Sequence, residues 1–105
     1  MSTAPTIVND QLDAVRQLCR QHHVARLELF GSAANGRFDL AHSDLDFLVD
    51  FQPLSPADRA DAYFELLASL QDLFRRDIDL VEVEAIDNPY FQRTLEAGRT
   101  VLYAA

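Results

Sequence analysis

The stretch Leu27–Phe51 has the sequence LELFGSAANGRFDLAHSDLDFLVDF and contains two apolar segments separated by a connection with two glycines. In the second segment, residues 44–51, apolar side chains alternate with mainly acidic ones, which is the period-two pattern of a β-strand with one face in a core. The first segment extends back to Ala25 and is ended by Gly31. The stretch therefore predicts two strands, with a pair of aspartates at the head of the second.

Helix signals lie on both sides of these strands. Asn9 is a suitable N-cap for one helix, and Ser55-Pro56 is a suitable start for another. In chain order, the predicted elements are a helix over 10–22, a strand over 25–30, a helical turn over 32–35, a strand over 44–51, a helix over 55–74, a strand over 77–83, a helix over 88–97 and a strand over 100–103. This order predicts an α/β (α+β) fold in which helices flank a small mixed β-sheet.

Length and composition favour one cytoplasmic domain. The 105 residues suit a single domain over 1–105, with a flexible tail over 1–6. A formal net charge of -8 disfavours direct binding to nucleic acid, because an acidic chain does not attract a polyanion. The single cysteine, Cys19, has no partner for an internal disulfide, which suits a reducing compartment. We expect no signal peptide and no membrane helix, since no apolar run approaches ~20 residues.

Asp44 and Asp46 lie two residues apart at the start of a predicted strand, so their side chains point to the same face. Aspartate is disfavoured in strands, and two neighbouring negative charges repel each other unless a cation compensates them. Mg²⁺ prefers hard oxygen ligands and often binds one or two carboxylates together with substrate phosphates. The pair therefore indicates a magnesium site, although D-x-D alone also suits a solvated strand face.

Gly31-Ser32 follows the first predicted strand. Glycine allows the backbone to approach a phosphate closely, and a helical turn after it would point N–H groups at the anion. An ordinary turn with a serine cap explains the same two residues, so this motif is weak alone.

Asp77 and Asp79 open a later strand and share one face of it. A neighbouring strand could bring one of them beside the first aspartate pair, where a third carboxylate binds metal and assists deprotonation of a hydroxyl. The alternative is that these aspartates are only the charged start of a strand beside Arg75-Arg76. This alternative is weaker for Asp79 than for Asp77.

Together these motifs resemble the polymerase-β nucleotidyltransferase superfamily. They are closest to its minimal nucleotidyltransferases (MNT), the antitoxin partners of HEPN-domain ribonuclease toxins. Those proteins show FGSxARG, then SDxDxxV, then an Asp-Leu-Val strand. The matching residues here are Phe30-Gly31-Ser32, Ala34, Gly36, Ser43-Asp44-Leu45-Asp46, Val49 and Asp79-Leu80-Val81. The resemblance covers nearly the whole chain and implies the nucleotidyltransferase fold.

The resemblance also implies roles for individual residues. Asp44 and Asp46 would bind Mg²⁺, in a site for two ions, and Asp79 would complete this catalytic set. Gly31 and Ser32 would hold the triphosphate of ATP. The implied activity is transfer of AMP from ATP to a hydroxyl group, expected to be a tyrosine, of a HEPN toxin that forms a hetero-oligomer with this chain and is thereby neutralised.

The chain departs from the family pattern at Asn35, where the family usually has arginine. Arg37 is our candidate for the missing cationic contact to the nucleotide. The departure favours one alternative, an antitoxin that neutralises its toxin by binding alone. A nucleotidyltransferase that acts on a small molecule is a separate second alternative.

Overall fold

The computed structural model describes residues 6–30, 45–83 and 99–105. The elements in these residues are α1 (Thr6–Asn9), α2 (Leu12–Gln21), β1 (Val24–Phe30), β2 (Leu45–Phe51), α3 (Pro56–Phe74), β3 (Ile78–Glu82) and β4 (Arg99–Ala104). All four predicted strands are confirmed, with bounds shifted by one or two residues. The predicted turn over 32–35 and helix over 88–97 lie outside the described residues.

The four strands form one mixed sheet in the order β3-β2-β1-β4. β1 is antiparallel to both β2 and β4, whereas β2 and β3 are parallel. Parallel neighbours need a long crossover connection, and α3 provides it. The predicted fold class, a small mixed sheet flanked by helices, is therefore confirmed.

The main core lies between the sheet and the helices α2 and α3. Its fully buried side chains include Leu27, Leu45 and Phe47 from the strands, and it takes in Val15 and Cys19 of α2 and Leu66, Leu70 and Phe74 of α3. The rings of Phe47 and Phe74 stack with centroids 6.0 Å apart. Both helices therefore cover the same face of the sheet.

The residues at the two ends of α3 determine where this helix begins and ends. At the start, the Ser55 hydroxyl accepts a hydrogen bond from the Asp58 backbone N–H at 3.2 Å, and Pro56 occupies the first helical position. At the end, Arg75 adopts a left-handed conformation with φ of 52° and donates its N–H to the Gln71 carbonyl. The predicted Ser55 cap is confirmed. No helix among the described residues is long and apolar enough to cross a membrane.

The first helix differs from the prediction. Asn9 does not cap it, because Asn9 ends the short helix α1, and α2 begins only at Leu12 after Gln11, which makes no side-chain cap. α1 begins at Thr6, the last residue of the expected tail over 1–6, and residues 1–5 of that tail lie outside the described residues. The physical reason for α1 is Val8, whose side chain is fully buried in the core and folds this segment onto the protein.

Replacement of Leu66 by alanine tests the packing of α3. We expect Leu66→Ala to lower the free energy of unfolding by about 2–5 kcal/mol, because it removes a fully buried side chain and leaves a cavity. Phe64→Ala is the matched control two residues away, since Phe64 is 65% exposed, and we expect a loss below about 1 kcal/mol. Urea unfolding of both variants measures the difference. Equal losses would contradict this description of the core.

The buried thiol of Cys19 predicts a pH dependence. Burial raises the pKa of the Cys19 thiol from 9.0 to about 12, and the positive charge of Arg20 lowers this pKa by less. Above pH 9.0 the unfolded thiol ionises while the folded thiol keeps its proton, so the free energy of unfolding should fall as the pH rises towards about 12. Urea unfolding at neutral pH and within this window measures the slope. Cys19→Ala should show a smaller slope, and an unchanged slope would refute the assignment.

Candidate active site

Asp46 and Asp79 lie side by side on neighbouring strands. Asp46 of β2 is the Cα partner of Asp79 of β3 in the parallel pair, and on its other side Asp46 is the Cα partner of Phe30 of β1. Paired residues point to the same face of a sheet. The row Phe30–Asp46–Asp79 therefore crosses three strands, and the expectation that a later strand brings a carboxylate beside Asp46 is confirmed for Asp79.

The burial of their neighbours shows which face the two carboxylates occupy. Leu45 and Phe47, on either side of Asp46, are fully buried under the helices. Asp46 is half-buried and Asp79 is exposed, and they share their face with Phe30, which packs in a second small cluster with Leu48 and Val81. The carboxylates thus lie on the face opposite α2 and α3, where solvent reaches them.

Two adjacent carboxylates on a sheet destabilise each other, because like charges directly opposite one another repel. A hard divalent cation removes this repulsion and takes carboxylate oxygens as ligands. Asp46 and Asp79 have the chemistry and placement for that role. Among the described residues no group of three or more His, Cys, Asp or Glu is positioned to hold a metal ion. Asp44, the third expected ligand, lies outside them.

The strand that precedes the predicted phosphate-binding motif ends beside the carboxylates. Phe30 is the last residue of β1 and pairs with Asp46, so the chain continues into Gly31 from a position beside the carboxylates. Gly31, Ser32 and Arg37 lie outside the described residues, and their role in nucleotide binding stays a prediction.

Comparison with known proteins identifies the family. The sequence pattern of the nucleotidyltransferase domain matches residues 12–102, which include both carboxylates and all four strands except the last two residues of β4. This chain belongs to the nucleotidyltransferase domain family. The sheet row Phe30–Asp46–Asp79 is thus part of a nucleotidyltransferase fold.

Two proteins of Methanocaldococcus jannaschii are among its relatives. One is 28% identical over 93 residues, which cover 81% of this chain and 91% of the relative. The other is 34% identical over 79 residues, which cover 75% of this chain and 76% of the relative. Both are named as candidate protein adenylyltransferases.

Solved structures share the fold of this nucleotidyltransferase. A candidate minimal nucleotidyltransferase is 26% identical with a TM-score of 0.64, and the match covers 94% of each chain. A toxin–antitoxin complex with AMP-PNP matches at a TM-score of 0.66 and 22% identity, over 90% of this chain and 73% of that one. A complex of tri-AMPylated HEPN toxin with MNT antitoxin from Shewanella oneidensis matches at 0.56 and 19% identity, over 92% and 72%.

Two polar side chains near the site were not predicted from the sequence. Glu28 is only 4% exposed, and its carboxylate accepts hydrogen bonds from the Arg26 guanidinium at 3.0 and 3.2 Å. Tyr63 lies in the stripe of apolar residues of α3 that packs against the core, and its hydroxyl donates to the Leu80 carbonyl at 2.6 Å. The sequence signal for this hydrogen bond is a tyrosine among apolar helix residues, because the hydroxyl of a tyrosine that packs against a core needs a hydrogen-bond partner.

Replacement of Asp79 by asparagine tests the electrostatics of the carboxylate pair. Without divalent metal, we expect Asp79→Asn to raise the free energy of unfolding by about 0.2–1 kcal/mol, because it removes a repulsion across the strand pair. Added Mg²⁺ should raise the melting temperature of the wild-type chain more than that of the variant.

The matched control is Asp50→Asn, since Asp50 is an exposed aspartate of β2 whose Cα partner is the cationic Arg26. This variant should show no gain in stability. A gain for Asp50→Asn equal to that for Asp79→Asn would show that net charge alone is responsible.

Proposed function

We propose that this nucleotidyltransferase transfers AMP from ATP to a hydroxyl group, expected to be a tyrosine, of a partner HEPN ribonuclease toxin. The transfer neutralises the toxin. The observation that carries the proposal is the pairing of Asp46 with Asp79, two carboxylates on the solvent-facing side of a nucleotidyltransferase fold. The names of the relatives support the protein acceptor, and the neighbouring toxin–antitoxin structures support the class of partner.

The metal site in this proposal consists of Asp44, Asp46 and Asp79, with Mg²⁺ as the ion. When bound, Mg²⁺ supplies positive charge that neutralises the triphosphate and the charge that develops on the transferring phosphoryl group. The pairing of Asp46 with Asp79 fits such an ion, since these carboxylates extend from paired positions on the same face of the sheet and carry hard oxygen donors. Alternation along β2 would put Asp44 on the same face as Asp46.

The nucleotide in this proposal lies at the end of β1. Gly31 and Ser32 would hold the phosphates by backbone N–H groups and the serine hydroxyl. Arg37 would add the cationic contact that the family's arginine makes, since Asn35 replaces that arginine here. The support is the pairing of Phe30 with Asp46, because it starts this segment beside the carboxylates.

The reaction is a substitution at phosphorus. The acceptor oxygen forms a bond to the α-phosphorus of ATP, the bond from that phosphorus to the bridging oxygen of the β-phosphate breaks, and pyrophosphate leaves. The hydroxyl proton passes to a carboxylate, for which Asp79 is the candidate because it is exposed and lies at the position paired with Asp46. The protein contributes mainly positioning and charge neutralisation.

The partner in this proposal is a protein, and the two chains form a hetero-oligomer. The net charge of -8 favours a protein surface over a direct nucleic-acid ligand. ATP as donor and the reduced, buried thiol of Cys19 suit a cytoplasmic location.

Neutralisation by binding alone is the second candidate, and Asn35 is the residue that favours it, because the loss of the family's arginine weakens the phosphate contacts. The double variant Asp44→Ala/Asp46→Ala separates the two candidates when it is co-expressed with the toxin. If the reaction neutralises the toxin, we expect the double variant to lose protection and the toxin to lose its added mass.

Mass spectrometry of the toxin measures the reaction directly, since a gain of one or more AMP units identifies donor, acceptor and product together. The matched control is Asp50→Ala, an exposed carboxylate on the same face of β2 whose Cα partner is Arg26. This control should protect as the wild type does. Protection by a folded double variant, with unmodified toxin in the wild-type experiment, would refute AMP transfer and support binding alone.

A further inference from the structure

The strand that holds Asp79 is at the edge of the sheet. Among residues 6–30, 45–83 and 99–105, the strand order is β3-β2-β1-β4, and within these residues β3 is hydrogen-bonded to β2 only. Asp79 is the second residue of this five-residue strand. A short edge strand has ladder hydrogen bonds on one side alone, so its position depends on other contacts more than that of a central strand does.

A tyrosine from the crossover helix makes such a contact beside Asp79. The Tyr63 hydroxyl of α3 donates to the carbonyl of Leu80, the residue after Asp79, at 2.6 Å. Burial raises the pKa of Tyr63, and the negative charges of Asp79 and Glu82 raise this pKa further. The donor in this bond is the hydroxyl, because a carbonyl oxygen can only accept a hydrogen bond.

A second contact joins the same two elements one helical turn earlier. Arg59 of α3 lies four residues before Tyr63, on the same helix face, and its Nε is 3.5 Å from the Glu82 carboxylate. Both side chains of this ion pair are partly exposed, at 36% and 26%, so its contribution to stability is small. The Tyr63 hydrogen bond is shorter, and its acceptor belongs to the residue that follows Asp79 in the chain. It is therefore the contact that bears on the position of the Asp79 carboxylate.

We propose that Tyr63 is a positioning residue for the metal site, and that its hydrogen bond to the Leu80 carbonyl holds β3 so that the Asp79 carboxylate stays beside that of Asp46. Tyr63 touches neither nucleotide nor metal in this proposal and acts through Asp79. The inference rests on the proposed function, because it assumes that Asp79 binds a divalent ion. A backbone shift of a fraction of an ångström changes how two carboxylates share one ion, and supporting contacts of this kind commonly change metal affinity 10- to 100-fold.

Binding of Mn²⁺ in the presence of AMP-PNP tests the inference without any reaction. We expect Tyr63→Phe to weaken Mn²⁺ binding about tenfold, measured by electron paramagnetic resonance, because it removes the hydroxyl and keeps the ring. Tyr103→Phe is the matched control, since Tyr103 packs against the core on β4, at the opposite edge of the sheet. The control should bind Mn²⁺ as the wild type does.

A double-variant cycle with Asp79→Asn distinguishes positioning from a general loosening of the protein. If Tyr63 acts through Asp79, Tyr63→Phe should weaken Mn²⁺ binding in the wild-type background and change it less than twofold in the Asp79→Asn background. A general loosening would weaken binding equally in both backgrounds. Equal weakening, or unchanged binding by Tyr63→Phe in the wild-type background, overturns the inference.

The transfer reaction gives an independent measurement. Tyr63→Phe should need about tenfold more Mg²⁺ for half-maximal AMP transfer and should approach the wild-type kcat at saturating Mg²⁺. Failure of the proposed function has a different signature, because the wild-type chain itself would then bind no Mn²⁺ or transfer no AMP. If the wild-type chain binds no Mn²⁺, both proposals are overturned. If it binds Mn²⁺ but transfers no AMP, the proposed function fails, and the double-variant cycle decides whether Tyr63 positions Asp79.

Discussion

The parallel pairing of β2 with β3 is the constraint on which the site depends. This pairing sets Asp46 against Asp79, although 33 positions separate them in the sequence. A shift of the register by one residue would turn the Asp79 side chain to the helix-covered face and bring a core leucine or isoleucine to the open face. The burial of Ile78 and Leu80 in the main core opposes that shift, so apolar packing fixes the position of the carboxylate.

The two faces of the sheet have different roles because successive side chains of a strand point to opposite faces. Helices α2 and α3 cover one face, and their apolar side chains pack on the odd-numbered residues of β2, such as Phe47. The intervening residues of that strand point to the other face, where they are free to be acidic at Asp46 and apolar at Leu48. A single seven-residue strand thus supports the core with one side and the candidate chemistry with the other.

Much of this arrangement was predictable from local patterns. The alternation of apolar and acidic residues predicted β2, and the Ser55-Pro56 pair predicted the start of α3. The acidic residues at the start of the third strand made Asp79 a candidate for the carboxylate beside Asp46. The remaining features depend on contacts between distant residues. The docking of α1 depends on the burial of Val8, and the hydrogen bond of Tyr63 to the Leu80 carbonyl depends on how α3 lies against β3. Propensity and spacing contain no information about such pairs.

The crossover through α3 also ties the site to the order in which the protein folds. A parallel strand pair closes only after the helix between its strands has folded back onto the sheet, and the entropy of closing that loop must be overcome before the pairing stabilises it. Until then Asp46 has no neighbouring carboxylate from β3. If Asp46 and Asp79 bind a divalent ion as proposed, that ability arises late in folding, and ion binding reports that the crossover is complete.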